Sequence, residues 1–259
     1  MQIWKEGRLR IGIKNDQEIK SMRKAGKILG FILAEVEKHI VEGMTGLELD
    51  TMAENIMKEQ GVLPSFKGYN GFPNVACINI NQQVVHGIPS NIPFQTGDIV
   101  TFDCGVVVDG LHTDSAITKC VGTPSIEIEK FLKTAEKALE KAIQVAKPGI
   151  RIKNISEVIQ QTVEKNGYSI VKDLIGHGIG TNLHEDPDVP NFVDPYEPGP
   201  ILQTGMTIAI EPIISMGNPK IKLMPDKWTY ETVDGSLATQ VEHTILITKT
   251  GCEILTARP

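Results

Sequence analysis

The chain has no long apolar run, little cysteine and no surplus of positive charge, and each shortage closes off a class of protein. Its opening segment, MQIWKEGRLRIGIKNDQEIK, alternates charged with apolar residues. A secretory signal needs an apolar core and a membrane span about 20 apolar residues in a row. The sequence therefore predicts a cytoplasmic protein without membrane attachment. The four cysteines, Cys77, Cys104, Cys120 and Cys252, are scattered without CxxC spacing. They are too few to frame a disulfide-rich fold and read as free thiols in a reducing compartment. The 26 lysines and arginines are outnumbered by 32 aspartates and glutamates, for a formal net charge of −6. With no basic cluster to offset it, that balance argues against a nucleic-acid surface. No GxSxG elbow, P-loop or GxGxxG turn is present, which sets aside the common serine-hydrolase and nucleotide-binding layouts.

What is present is a repeat. Over 259 residues, 41% of them hydrophobic, there is ample length for a buried core. Residues 18–40 place Ile19, Met22, Ala25, Ile28, Leu29, Ile32 and Val36 at helical spacing. A second helix is predicted from Thr45, with Glu48 three positions on as a capping box, to a stop at Gly61. The second half replays this pattern: a helix over 125–147 ended by Pro148-Gly149, then one over 151–166 ended by Gly167. Gly43 to Gly61 and Gly149 to Gly167 are both 18 positions. Strands follow in each half. GDIVTFD (97–103) aligns with GMTIAIE (205–211), matching Asp103 to Glu211, and HTDSAITK (112–119) aligns with QVEHTILITK (240–249), matching Asp114 to Glu242. The runs 99–108 and 206–214 have the Ile, Val and Thr content of half-buried strands. Each half also carries a His-Gly-Ile step, at 86–88 and 177–179. We read an internal duplication, approximately 12–122 and 123–259, making a single catalytic domain over 1–259. The fold class is α/β: two halves related by an approximate two-fold, a central antiparallel-rich sheet and outer helices. Residues 185–204, with five prolines, read as a long extended loop.

The acids define the chemistry. Asp103 and Glu211 lie in apolar strands, and a buried carboxylate without a partner costs several kcal/mol or more. A salt bridge is the simplest remedy, yet the acid-bearing strands offer few cations, with Lys119 and Lys249 at the far ends of 112–119 and 240–249. Four acids at matching places repel one another unless neutralised, and two divalent ions achieve that at once. Carboxylate and imidazole ligands suit Mn, Fe, Co or Zn. A pair of such ions, about 3.5 Å apart, can hold a bridging hydroxide and polarise a carbonyl, so metal-assisted hydrolysis is expected. Cys104 points to the opposite face from Asp103 by strand alternation, and His112 and His243 point away from Asp114 and Glu242 likewise. His86, His177 and His184 accompany the metal-site segments, and the glycines of GHGIG let backbone come close around His177. His39 ends a helix, where a cation suits the dipole.

Together the segments NVACININ (74–81), VVHGIP (84–89), FDCGVVVDGLHTDSA (102–116), GHGIGTNLHEDP (176–187), IAIEP (208–212) and SLATQVEHT (236–244) resemble the type I methionine aminopeptidases, metallopeptidases of the pita-bread fold. The resemblance spans nearly the whole chain. It implies that Asp103, Asp114, His177, Glu211 and Glu242 hold two metal ions, with Asp114 and Glu242 bridging. It implies that Glu211 shuttles a proton from the metal-bound water to the leaving amine, that His86 lies by the departing group, and that His184 contacts the substrate carbonyl, with Gln240 near the site. Tyr69, Phe72, Cys77 and Trp228 match the methionine pocket, together with His86 and His184 as substrate contacts. Leu183 stands where many relatives have an aromatic residue, and Phe66 where some have cysteine. The substrate implied is a nascent polypeptide whose initiator methionine precedes a small residue, met by a monomeric enzyme near the ribosome. The short start and the 34 positions from His177 to Glu211 fit the type I branch. The alternatives are an Xaa-Pro peptidase of the same fold and a binding module that has given up catalysis.

Overall fold

The computed structural model describes residues 2–6 and 9–259. Four long helices form where apolar periodicity and caps coincide. Helix α1 (Asp16–His39) starts two residues before the predicted onset, because the Asn15 side chain accepts from the backbone of Gln17 and Glu18 while Glu18 returns a bond to Asn15. Helix α2 (Gly46–Glu59) begins on the predicted Thr45–Glu48 box. Helices α3 (Ile126–Val145) and α4 (Ile152–Lys165) match their predicted spans, with Ser125 capping α3. Among the described residues, no helix is long and apolar enough to cross a membrane.

The helices cover strands on one side. In the first half, α1 and α2 bury Leu29, Leu33, Val36, Leu49 and Met57 against Ile78, Val100, Phe102 and Val106. The strand Ile99–Val108 pairs antiparallel with Leu111–Cys120 over ten registered pairs, closed at Asp109-Gly110, both in the left-handed region. Its other edge holds Leu63–Pro64 and Ala76–Ile80. In the second half, α3 and α4 bury Phe131, Leu139, Ile155 and Ile159 with Ile208, Ile210, Ile214 and Ile245. There, Thr207–Ile210 lies between Gly176–Gly178 and His243–Ile247, and Ile213–Ser215 lies between Ser169–Ile170 and Ala238–Gln240.

Three expectations need correction. The run 206–214 is two strands, broken at Glu211-Pro212, because Pro212 has no N–H for a ladder and the turn aims Glu211 inward. The run 240–249 likewise breaks at Val241-Glu242. Residues 185–204 are not all loop: Glu185–Val189 is a strand paired, with a bulge, to Gly176–Gly178. Its Pro187 is tolerated at that irregular edge.

Side-chain hydroxyls join the halves. Thr244 Oγ1 accepts from the Asp114 N–H and donates to the Asp114 carbonyl, Ser115 donates to the Glu242 carbonyl, and Thr118 donates to that of Gln240. The C-terminal segment Leu255–Ala257 adds a second joint, crossing α1 so closely that a Cβ on Gly26 or Gly30 would overlap the carbonyl oxygens of Leu255 and Ala257. Alanine at Gly26 would gain about 1 kcal/mol of helix propensity, whereas overpacking against backbone costs about 1–3 kcal/mol. Gly26→Ala is therefore expected to lower the urea midpoint; a raised midpoint would show that this crossing has slack.

Candidate active site

One cavity of about 420 Å³ is lined by every residue the sequence nominated: Asp103, Asp114, His177, Glu211, Glu242, His86, His184, Tyr69, Phe72, Cys77 and Trp228, with Gln240. The hairpin and the strand breaks explain the acids. Asp103 faces Ala116 and Asp114 faces Gly105, so the two carboxylates are diagonal neighbours on one face. Glu211 and Glu242 come from the two breaks, and Asn191 Nδ2 binds the Glu211 carbonyl at 2.9 Å. Ligand atoms of Asp114, His177 and Glu242 all lie within 4.8 Å of one another. Glu211 Oε1 stands 3.8 Å from His177 Nε2, and Gln240 Nε2 donates to Glu211 Oε2 at 3.0 Å and to Asp103 Oδ2 at 3.4 Å.

Nothing in the described lining of this cavity is a lysine or arginine, which removes the salt-bridge reading. All four acids are buried, and Asp103 Oδ1, Asp114 Oδ1 and Glu242 Oε1 have no hydrogen-bond partner. Burial pushes the Asp114 carboxyl up to about 7. Burial, and then repulsion among the acids, lifts Asp103, Glu211 and Glu242 well above the usual carboxylate range. His177 pairs its Nδ1 with the Gly178 carbonyl at 2.9 Å; donating there, it turns the lone pair of Nε2 toward the acids. Burial holds that imidazole down at about 3, hence neutral. Orphaned carboxylate oxygens and one neutral imidazole form an oxygen- and nitrogen-rich set that fits divalent cations. The neighbouring thiols do not join it. Cys77, opposite Asp103 in the ladder, is pushed well up by burial and stays protonated, and Cys104 packs in the core under α1 and α2. His112 bonds Ser65 and His243 bonds Thr256, both turned from the cavity as alternation requires.

The remaining walls are apolar. Phe72 meets Trp228 edge-on with ring centroids 5.1 Å apart, and Phe66, Cys77 and Leu183 are buried beside them. The His184 ring lies 4.4 Å from that of His177, and its Nδ1 is 2.9 Å from the Tyr69 hydroxyl. His86 adopts φ 58°, a left-handed conformation that costs a non-glycine residue about 1–3 kcal/mol and persists only where its surroundings impose it. They do: Asn79 Oδ1 binds the next N–H, that of Gly87, at 2.7 Å, and Tyr230 packs against the imidazole. Burial lowers His86 to about 4 and also lowers His184, so both are neutral near pH 7. Sequence reasoning missed Asn79 and Tyr230, along with Asp226, which caps the turn placing Trp228 by accepting from the N–H groups of Trp228 and Thr229. The Asp226-Lys227-Trp228-Thr229 spacing was the available signal.

Comparison with known proteins follows the same lines. Residues 20–249 match metallopeptidase family M24. A methionine aminopeptidase of Clostridium perfringens is 47% identical over 244 residues, covering 94% of this chain and 98% of that one. The crystal structure of methionine aminopeptidase from Thermotoga maritima superposes with a TM-score of 0.93 at 44% identity, covering 96% of this chain and 100% of that one. A prolidase from Pyrococcus furiosus shares the fold at a TM-score of 0.78 and 25% identity, covering 95% of this chain but 66% of its own. With four buried acids and a histidine gathered on a pita-bread framework, the chain belongs to metallopeptidase family M24 and, within it, to the methionine aminopeptidases.

Proposed function

We propose that this chain removes the N-terminal methionine from polypeptides whose second residue is small, working as one catalytic domain to which both halves, about 12–122 and 123–259, contribute acids. The observation that carries this reading is the set of partnerless buried carboxylate oxygens beside an aromatic and thiol-lined pocket. Asp103, Asp114, His177, Glu211 and Glu242 would hold two divalent ions (Mn, Fe, Co or Zn), with Asp114 and Glu242 shared between them. When bound, such a pair supplies Lewis acidity to a water and to the scissile carbonyl.

The protein groups divide the remaining work. Glu211 has one oxygen held by Gln240 and the other, Oε1, directed toward His177; Oε1 takes a proton from the attacking water and returns it to the leaving amine. His184, donating from Nε2 while Tyr69 occupies Nδ1, stabilises charge on the carbonyl oxygen. His86 lies by the departing group. Tyr69, Phe72, Cys77 and Trp228 receive the methionine side chain, whose polarizable thioether suits aromatic edges. We infer a single-chain cytoplasmic enzyme acting on nascent polypeptides near the ribosome; the four cysteines, all unpaired, support a reducing compartment.

Mass spectrometry of Met-Ala-Ser, Met-Lys-Ser, Leu-Ala-Ser and Ala-Pro-Ser with metal-stripped protein, with and without Mn or Co, tests the reaction. Metal-dependent loss of methionine from Met-Ala-Ser alone is expected, with turnover falling about 100-fold or more in Glu211→Gln. Cleavage of Ala-Pro-Ser instead would move the chain to the prolidase branch, and full activity in Glu211→Gln would remove its proton-transfer role.

A second test is thermal. Each raised carboxyl binds its proton more tightly folded than unfolded, so stability is lost as pH rises from the unfolded value of about 4 through the Asp114 value of about 7. The depressed imidazoles of His86, His177 and His184 pull the other way over the same range, gaining stability as pH rises through the unfolded value of about 6.5. The acids are therefore read by difference: from pH 5 to pH 8 the melting temperature of the metal-stripped native chain is expected to fall more, or rise less, than that of Asp114→Asn. Saturating Mn or Co should then raise the pH 8 melting temperature by about 5–10 °C, from the roughly 2.7 kcal/mol that 100-fold excess over Kd provides. The same pH response in the native chain and in Asp114→Asn, with the native melting temperature unmoved by metal, would contradict the assignment of the acids.

A further inference from the structure

His184 lines the cavity from a short turn. The chain around it passes from the strand Gly176–Gly178 to the strand Glu185–Val189. Two contacts from distant parts of the sequence fix it. Lys14, whose side chain is 1% exposed, reaches across 171 positions to Glu185, 8% exposed, with Nζ 3.1 Å from Oε2. The other oxygen of Glu185 accepts from the Asn182 N–H at 2.9 Å and so closes the turn over Leu183 and His184. The Lys14 stem fills the space beside Gly180, at the start of that turn, where a Cβ would overlap its Cε. Lys14 is itself anchored by its N–H on the Gly205 carbonyl. From the opposite side, the Tyr69 hydroxyl meets His184 Nδ1 at 2.9 Å.

A buried ion pair is weak evidence of stability, because desolvation consumes much of the attraction. A use in orientation accounts better for a pair that clamps the turn carrying one functional side chain. A neutral imidazole carries one proton, so a hydroxyl donating to Nδ1 places that proton on Nε2 and makes Nε2 the donor presented to the cavity. We propose that Lys14, Glu185 and Tyr69 are positioning residues that together mount His184: the ion pair sets where its backbone lies, and the Tyr69 hydroxyl sets which nitrogen carries the proton. This rests on the reading that His184 acts on the substrate carbonyl.

The test is a mutant cycle on metal-loaded enzyme with Met-Ala-Ser. Tyr69→Phe keeps the ring and loses only the hydroxyl. The double variant Lys14→Met/Glu185→Gln removes both charges together and keeps an acceptor for the Asn182 N–H, so no buried ion is left unpaired. Each is expected to lower kcat about tenfold or more, in line with the cost of a small misplacement, with metal content unchanged and, in the ion-pair variant, KM unchanged as well. In a His184→Ala background, itself slowed about 100-fold, the same changes should have no further effect on kcat. A structural role alone would lower the rate in both backgrounds, and that result overturns the proposal. If His184→Ala turns over at the native rate, it is the role of His184 that fails instead. Imidazole ¹⁵N shifts of the metal-stripped protein give an independent readout. His184 should be an Nε2–H tautomer in the native chain and a mixture in Tyr69→Phe; an unchanged tautomer would remove the Tyr69 arm.

Discussion

Four carboxylates, those of Asp103, Asp114, Glu211 and Glu242, share one buried cavity whose described walls contain no lysine or arginine. Left ionised and alone they would repel one another where water cannot screen them, so the fold around them must supply cations or bind protons. Much of the architecture follows from that demand. The first half presents its two acids from an unbroken ten-pair hairpin, which fixes their spacing by register. The second half presents its two from strand breaks, where the chain can turn a longer glutamate inward. The hydroxyls of Ser115, Thr118 and Thr244 then lock hairpin to breaks. None of these bonds is strong alone, at about 1 kcal/mol each, but together they hold acids from both halves facing one another.

The histidines are tuned in the opposite sense. Burial that lifts the acids lowers His86, His177 and His184, leaving neutral imidazoles beside groups that bind cations. A neutral ring has one donor and one acceptor nitrogen, so its partner on one side decides what it offers on the other. Gly178 makes that choice for His177, and Tyr69 makes it for His184. His86 is governed through its backbone, held left-handed by Asn79 and the neighbouring chain.

The sequence disclosed most of this wherever the signal was local. The capping box at Thr45 and the three-and-four spacing of apolar residues marked the helices, because both act within a few positions; the equally local box at Asn15 went unread, which put the start of α1 two residues late. The acids of the hairpin were legible for the same reason: an aspartate amid β-branched neighbours demands an explanation. What stayed hidden depends on partners far along the chain. The breaks after Ile210 and at Val241 lie inside runs that read as continuous strand; Pro212 was a local sign of the first, whereas nothing local marks the second, where the chain turns Glu242 inward. Glu185–Val189 looked like proline-rich loop because its pairing comes from Gly176–Gly178. The Lys14–Glu185 pair spans 171 positions, beyond the reach of any local pattern.

The central claim is that the five groups Asp103, Asp114, His177, Glu211 and Glu242 form one dinuclear centre. Anomalous diffraction from crystals of metal-stripped protein soaked in cobalt(II) tests it most directly. The account predicts two peaks about 3.5–4 Å apart inside the cavity, with these five side chains as their protein ligands. No peak there, or a single ion bound without Asp103 or Glu242, would contradict it.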